Sequence, residues 1–331
     1  MNKRMLSMIK CPECGGLSFS VDEFKNGGDE IIDGRLTCNS CDAWYRIENG
    51  ILDLLPFSLR RQELHHDFAR RYELEAKKAG AVEDEQKDGQ MKFFAKFSRT
   101  YDKEVADSPY FSTFDRVVFG GWIKKNISPG QYILDVGCGS GVQSVVIGKE
   151  GINVVGVDIS EEMLLVAKRK VDESGIANHV DLIVGDAENI PLRDNIFDAY
   201  FMVGTLHHVK APQMVVKSAT DKIKNGGAVF TSDNHKSHVR FLFDILMRMW
   251  KLYDEEARDE PLFVARQFYD WYGSAGVKSS VRISTYLPPH LYFFLSKGAG
   301  ESLLKITNAV FGAIPYIKNF GGIIVLEGKK A

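Results

Sequence analysis

From residue 132 onward, short apolar runs alternate with amphipathic stretches of helix length. The runs 132–136, 153–157, 180–184, 199–203 and 228–231 read as strands. Between them, 142–149, 161–173 and 212–224 carry helical patterning. Ser160 followed by Glu161 and Glu162 marks a helix start, with an N-cap hydroxyl and acids near the positive end of the helix dipole. Repeated strand–helix units predict a parallel sheet covered on both faces. After Asn234 the rhythm changes. Segments 236–260 and 288–316 read as aromatic-rich helical inserts, 267–274 as a helix, and 278–286 and 322–326 as two closing strands.

Upstream the pattern is different. Residues 1–56 are punctuated by Gly15-Gly16, Gly27-Gly28, Asp33-Gly34 and Asn49-Gly50, with strand-like runs only at 17–21 and 44–47. A unit this small lacks the core to fold without a staple. Residues 57–90 are helical and highly charged, ending in a polar run, and read as a linker. The expected organisation is a small unit at 1–56, a linker at 57–90 and an α/β domain at 91–331, and the small unit is expected to fold separately from that domain.

Composition narrows the class. The 331 residues are 44% apolar and 26% charged, which suits a folded chain. Net charge is −2, so no global field draws the protein to nucleic acid or anionic membrane. Residues 1–56 hold 6 cationic against 9 acidic side chains, and 236–331 hold 13 against 9. No run reaches the roughly 18 apolar residues of a membrane span, and residues 1–10 lack the apolar core of a secretory signal. The expectation is a cytoplasmic protein without a transmembrane segment.

Four of the five cysteines form two C-x-x-C pairs, Cys11/Cys14 and Cys38/Cys41. Two such knuckles can close a tetrahedral site for a structural Zn²⁺, which supplies the missing folding energy. All four ligand positions are then filled, leaving none for catalysis. A redox pair would need one C-x-x-C only. Residues 11–56, with the closing run from Glu48 to Pro56, resemble the zinc-ribbon family that includes the activator subunit of tRNA and rRNA methyltransferases. More distantly they resemble the ribbon opening a bacterial rRNA guanine methyltransferase. That ribbon's last ligand is histidine; here it is cysteine, and the acidic balance disfavours a grip on RNA phosphates.

The second chemical signal is Leu134-Asp-Val-Gly-Cys-Gly-Ser-Gly141, between a strand and a helix. Gly137, Gly139 and Gly141 allow a sharp turn and let a ligand lie against the backbone. The spacing departs from G-x-G-x-x-G, which disfavours a dinucleotide pyrophosphate. S-adenosylmethionine suits it better. Asp158, at the end of the next strand, can accept from both ribose hydroxyls, with Ile159 and Met163 flanking the adenine. Asp186 and Ala187 follow the third strand and can meet the adenine edge. Met202 and Val203 end the fourth strand, and Asp135 and Cys138 lie within the glycine motif, Cys138 as a packing residue.

Blocks 134–141, 155–160, 184–192 and 197–209 are similar to the class I methyltransferase family, especially its ubiquinone-biosynthesis-like group. The resemblance implies a seven-stranded Rossmann-like sheet with an antiparallel last hairpin, here joined to an N-terminal zinc ribbon. The inserts 236–260 and 288–316 are expected to form a C-terminal helical lid over the acceptor. It also implies that 97–102 belongs to a helix over the cofactor.

Methyl transfer needs alignment, exclusion of water and, for a hydroxyl acceptor, removal of a proton. His207 and His208 follow the fourth strand and are the candidates for that step, with His207 expected to face the reaction and His208 to pack inward. Tyr101 is a third candidate, and Asp233 and His235 are secondary ones. The reading favours O-methylation of a small or lipid-linked metabolite. An RNA methyltransferase guided by its ribbon and a non-catalytic cofactor-binding module remain alternatives, and peripheral membrane contact stays open. Oligomeric state is not legible.

Overall fold

The computed structural model describes residues 1–75, 82, 84–237, 240–250 and 261–331. In chain order its strands are β1 (Phe19–Gly27), β2 (Glu30–Cys38), β3 (Trp44–Glu48), β4 (Ile51–Asp53), β5 (Tyr132–Val136), β6 (Asn153–Asp158), β7 (Val180–Val184), β8 (Phe197–Val203), β9 (Ile223–Asn234), β10 (Val277–Ser284) and β11 (Ile323–Lys330). The helices are α1 (Gln62–Arg71), α2 (Glu85–Phe97), α3 (Pro109–Phe114), α4 (Gly120–Asn126), α5 (Val142–Lys149), α6 (Glu161–Glu173), α7 (Pro212–Lys222), α8 (Arg240–Met249), α9 (Ala265–Ser274) and α10 (Lys297–Ala313).

The central strands β5, β6 and β7 are buried almost throughout, because a parallel sheet covered on both faces exposes neither side of a strand. This is why they read as continuous apolar runs. Ser160 caps α6 as its sequence suggests, its hydroxyl accepting from the Met163 amide at 3.4 Å. The sheet closes with β11 antiparallel to both β9 and β10.

The sheet is larger than expected. It has eleven strands rather than seven, in the order β1-β2-β3-β4-β7-β6-β5-β8-β9-β11-β10. The seven strands β7 to β10 form one contiguous block, and the cysteine-bearing unit extends it through a parallel pairing of β4 with β7, Leu52 opposite Ile183 and Asp53 opposite Val184. Without β4, β7 would present an unpaired edge. Arg4 adds to the junction by donating from Nε and Nη2 to Asp181 on β7 at 3.1 and 3.0 Å. The small unit therefore shares one continuous sheet with the domain.

Two further features refine the layout. Within the stretch read as a linker, α1 packs on the small unit, with His65 stacked on Trp44 at 3.8 Å and Phe68 fully buried. Helix α2 runs through the expected boundary at residue 90 and packs beside α6. Of the two inserts, 236–260 contributes α8, with 238–239 and 251–260 outside the described residues. The other contributes a turn at Pro289–Phe294 and α10, which lie against α3.

Candidate active site and metal centre

A cleft of about 850 Å³, including its open mouth, lies at the C-terminal ends of β5, β6, β7 and β8. The glycine loop forms its floor. Gly137, Gly139 and Gly141 have φ of 72°, 51° and 72°, a left-handed backbone that disfavours side chains. A Cβ on Gly137 would come within 2.5 Å of Thr205 Cγ2, so the turn also needs the space. Cys138 sits behind the loop against Gly156 and does not line the cleft.

Asp158 organises the floor. Its Oδ2 accepts from the Gly139 amide at 2.8 Å and its Oδ1 from the Ser160 amide at 2.9 Å. Each oxygen keeps a second acceptor position, as two ribose hydroxyls require. Burial pushes this carboxyl above its ordinary range, and the backbone donors oppose the shift. Beneath it, Asp135 accepts from Ser144 Oγ at 2.6 Å and is pushed up to about 8, chiefly by burial. Ile159, Met163, Ala187 and Val203 supply apolar wall.

The opposite wall is α2, through Gln86, Lys87, Gln90 and Phe94. Asp84 caps this helix by accepting from the Gln86 and Lys87 amides. Lys87 Nζ lies 2.8 Å from Asp186 and 2.9 Å from Glu188, so the carboxylate expected at the adenine edge is already paired. The sequence reading missed α2 as cleft wall, because its cleft-facing side is mostly polar and gives no apolar stripe. Its available signal was the capping Asp84 ahead of a helical run. Among the described residues, none from 236–250 or 288–316 lines the cleft.

At the far end of the ribbon the four cysteine sulfurs lie within 4.8 Å of one another. Cys11 to Cys41 and Cys14 to Cys38 are each 3.7 Å. Tetrahedral Zn²⁺ with Zn–S near 2.3 Å requires sulfurs about 3.8 Å apart, so the set fits that ion. The two knuckles are built alike, each turning on a left-handed residue directly after its second cysteine, Gly15 (φ 74°) and Asp42 (φ 56°).

Comparison with known proteins agrees with both halves. Residues 134–231 match the methyltransferase domain family, and residues 2–50 match the Trm112p-like protein family. The chain carries a class I methyltransferase domain behind a Trm112p-like zinc ribbon. The cofactors of these two modules are S-adenosylmethionine and structural zinc. A ubiquinone biosynthesis O-methyltransferase of Colwellia psychrerythraea is 31% identical over 149 residues, which is 44% of this chain and 60% of that protein. One of Pseudomonas fluorescens is 32% identical over 158 residues, covering 47% and 66%. The chain thus spans less than two thirds of either relative. Among solved structures, the [4+2]-cyclase SpnF superposes with a TM-score of 0.54 at 17% identity over 74% of this chain and 96% of its own. A Haemonchus contortus phosphoethanolamine N-methyltransferase gives 0.52 at 19%, over 76% and 62%. At such identities the likeness is one of fold alone.

The methyltransferase domain gathers most of the expected residues in its cleft: Gly137, Gly139, Asp158, Ile159, Met163, Asp186, Ala187, Val203, Tyr101 and His208. Asp135, Cys138, Gly141 and Met202 lie behind that lining. Tyr101 meets Phe97 edge-on at 5.5 Å, and burial among Asp115, Asp158 and Asp102 raises its phenol, which stays protonated.

The two histidines sit differently relative to the cleft. His208 lines the cleft, edge-on to Phe94 at 5.0 Å, and burial holds its imidazole well below the usual range, so it is neutral. His207 turns instead to Asp233, with Nδ1 2.7 Å from Oδ1. Asp233 is buried and also accepts from the Leu206 and Asn234 amides at 2.8 and 2.7 Å. His235 donates to the Gly321 carbonyl, away from the cleft lining.

Proposed function

We propose that this protein is an S-adenosylmethionine-dependent O-methyltransferase acting on a small or lipid-linked hydroxylated metabolite. The observation that carries the reading is the His207–Asp233 pair immediately beyond the cofactor cleft. The ubiquinone biosynthesis O-methyltransferases support oxygen as the acceptor atom.

When bound, S-adenosylmethionine supplies an electrophilic methyl group on a positively charged sulfur. The chain's own residues do the rest. Asp158 holds the ribose hydroxyls, and Ile159 and Met163 flank the adenine. Asp186 meets the adenine amine, sharing its carboxylate with Lys87. The buried carboxyls of Asp135 and Asp158 lie on the side where positive charge is favoured. Asp233 accepts from His207 Nδ1–H, which makes Nε2 the basic nitrogen and orients it. His207 would then take the proton of the acceptor hydroxyl at Nε2, leaving the oxygen free to receive the methyl group that the cofactor would supply. His208 and Tyr101 shape the wall as neutral groups.

The exposed side chains Leu242, Ile245, Met249 and Phe294 support a lipid-facing approach for the acceptor beside α8, where the inserts would act as its lid. Cytoplasmic residence is supported by the cysteine usage, four as metal-ligand candidates and Cys138 as a buried residue outside any disulfide. The test is transfer of labelled methyl from S-adenosylmethionine to a panel of catechols, polyprenyl phenols and hydroxylated amines. Oxygen-methylated product from a phenolic acceptor is expected. Methylation only at nitrogen, or cofactor binding without transfer to any member, would overturn the reading.

A further inference from the structure

Arg60, between β4 and α1, is an unusual side chain to find buried against so small a ribbon. It is 1% exposed, yet among the described residues it makes a single hydrogen bond, from Nε to the Leu55 carbonyl at 3.2 Å. Neither of its buried Nη atoms has a hydrogen-bond partner among the described residues. The guanidinium is held between two rings, 4.6 Å from the centroid of Tyr45 and 4.3 Å from that of Phe57. Cation–π contacts of this kind return only part of what burying a cation costs. The nearby carboxylates are engaged elsewhere: Asp53 binds Arg46 and the Leu55 amide, and Glu13 accepts from the Phe57 amide.

Tyr45 links this cation to the cysteines. It is fully buried on β3, and its Oη lies 3.1 Å from Cys11 Sγ. A thiolate bound to metal has no proton to give, so in the zinc-loaded ribbon the tyrosine hydroxyl must be the donor. A cation over the ring draws electron density from the phenol and strengthens that donor. Four thiolates around Zn²⁺ also leave two net negative charges in a small unit where Cys11 and Cys38 are buried. A buried cation with no carboxylate of its own is the complement such a centre needs.

We propose that Tyr45 and Arg60 form the outer layer of the zinc centre. Tyr45 donates to the Cys11 thiolate, and Arg60 supplies the counter-charge through the tyrosine ring. Both are positioning residues. The proposal rests on the zinc assignment of the four cysteines and extends it to side chains outside the Cys-x-x-Cys signature.

The test measures metal affinity by chelator competition on the full chain, and the thiolate-to-cobalt charge-transfer band after Co²⁺ replaces zinc. Tyr45→Phe keeps the ring that Arg60 stacks on and removes only the hydroxyl. Arg60→Met keeps the stem and removes the charge, and Arg60→Lys keeps the charge. Tyr45→Phe and Arg60→Met should each weaken zinc binding roughly ten- to a hundredfold, the range for outer-layer partners, and should shift the band. Arg60→Lys should recover part of the loss. Should Arg60→Met fail to fold, Tyr45→Phe decides alone. A merely structural role would lower the melting temperature but leave the band in place. Zinc affinity within twofold of the wild type together with an unmoved band would overturn the proposal. A wild-type chain that holds no zinc would instead overturn the metal assignment and the proposal with it.

Discussion

Arg46 on β3 of the ribbon donates from Nη1 to Glu161 Oε1 at 2.8 Å, and Glu161 is the first residue of α6, three positions past Asp158. The same guanidinium, 3% exposed, pairs with Glu48 at 2.7 Å and Asp53 at 3.1 Å. Three carboxylates therefore converge on one cation at the joint between the metal-bearing ribbon and the cofactor loop. Ser160 sits between, giving its amide to Asp158 and its hydroxyl to the cap of α6. The ribbon thus reaches the ribose-binding carboxylate through a short chain of direct contacts.

Arg46→Ala should be costly for that reason. Removing the cation strands three part-buried carboxylates, and breaking such a cluster typically destabilises by about 3–5 kcal/mol. Denaturant unfolding should report that loss, and calorimetry should show weaker S-adenosylmethionine binding. Glu161→Gln should do less, since Glu48 and Asp53 still neutralise Arg46. A destabilised Arg46→Ala protein with unaltered cofactor affinity would mean that the ribbon braces the sheet without placing the loop.

Zinc should be held at one equivalent per chain by Cys11, Cys14, Cys38 and Cys41. Stripping it with a chelator should lower the melting temperature of the whole chain, because β4 shares hydrogen bonds with β7. Cofactor affinity should fall in parallel through Arg46. Two independent unfolding transitions, with binding retained after the first, would restore the picture of a separate ribbon.

The alternation of apolar runs exposed the central strands, and the glycine loop with Asp158 exposed the floor of the cleft, since these rest on local chemistry. The β4–β7 pairing was hidden because β4 is a three-residue strand whose partner lies about 130 residues away, and no local pattern encodes such a pairing. The places of His207 and His208 were hidden for another reason. They are neighbours in one tight turn, Leu206–His208, and adjacent side chains there point in different directions. Only the burial of Asp233 on the next strand decides which histidine takes the carboxylate partner.

Asp158→Ala should weaken S-adenosylmethionine binding by a few kcal/mol, the scale of two charge-assisted hydrogen bonds. Some loss of stability should accompany it, because the Gly139 and Ser160 amides lose their acceptor. Asp158→Asn keeps the shape and one acceptor oxygen, so it should preserve the fold better than it preserves affinity. Calorimetric titration paired with thermal unfolding separates the two effects; unchanged affinity in both variants would remove the ribose from this carboxylate.

Cofactor binding should also depend on pH through Asp135. Its carboxyl is raised in the folded chain to about 8, so the folded state holds a proton that the unfolded state has released. The sign follows: this group favours folding below about pH 4 and loses that contribution as pH rises through about 8. A positively charged cofactor favours the ionised carboxylate, so binding should release a proton and tighten as pH climbs toward 8. Calorimetry in two buffers of different ionisation enthalpy reads the proton directly. S-adenosylhomocysteine, whose sulfur is neutral, should show a weaker dependence, and Asp135→Asn should abolish it.

The final prediction concerns the proton of the acceptor. Asp233 is buried, and three donors converge on its carboxylate: the Leu206 amide, the Asn234 amide and His207 Nδ1. That arrangement fixes the tautomer of His207 and places the basic lone pair on Nε2. His207→Ala should lower turnover by roughly 10²–10⁴-fold, the usual yield of a general base, while cofactor affinity stays nearly constant. Asp233→Asn should approach the same loss, because an amide in that position no longer enforces the tautomer, and both variants should lose the acidic limb of the pH–rate profile. His208→Ala should behave otherwise. Its ring is neutral and lines the cleft, so removing it should raise the acceptor KM more than it lowers kcat. If His208→Ala instead carries the large kcat effect and His207→Ala is nearly silent, the base belongs to the cleft-lining ring, and the Asp233 pair is a scaffold for the turn between β8 and α7.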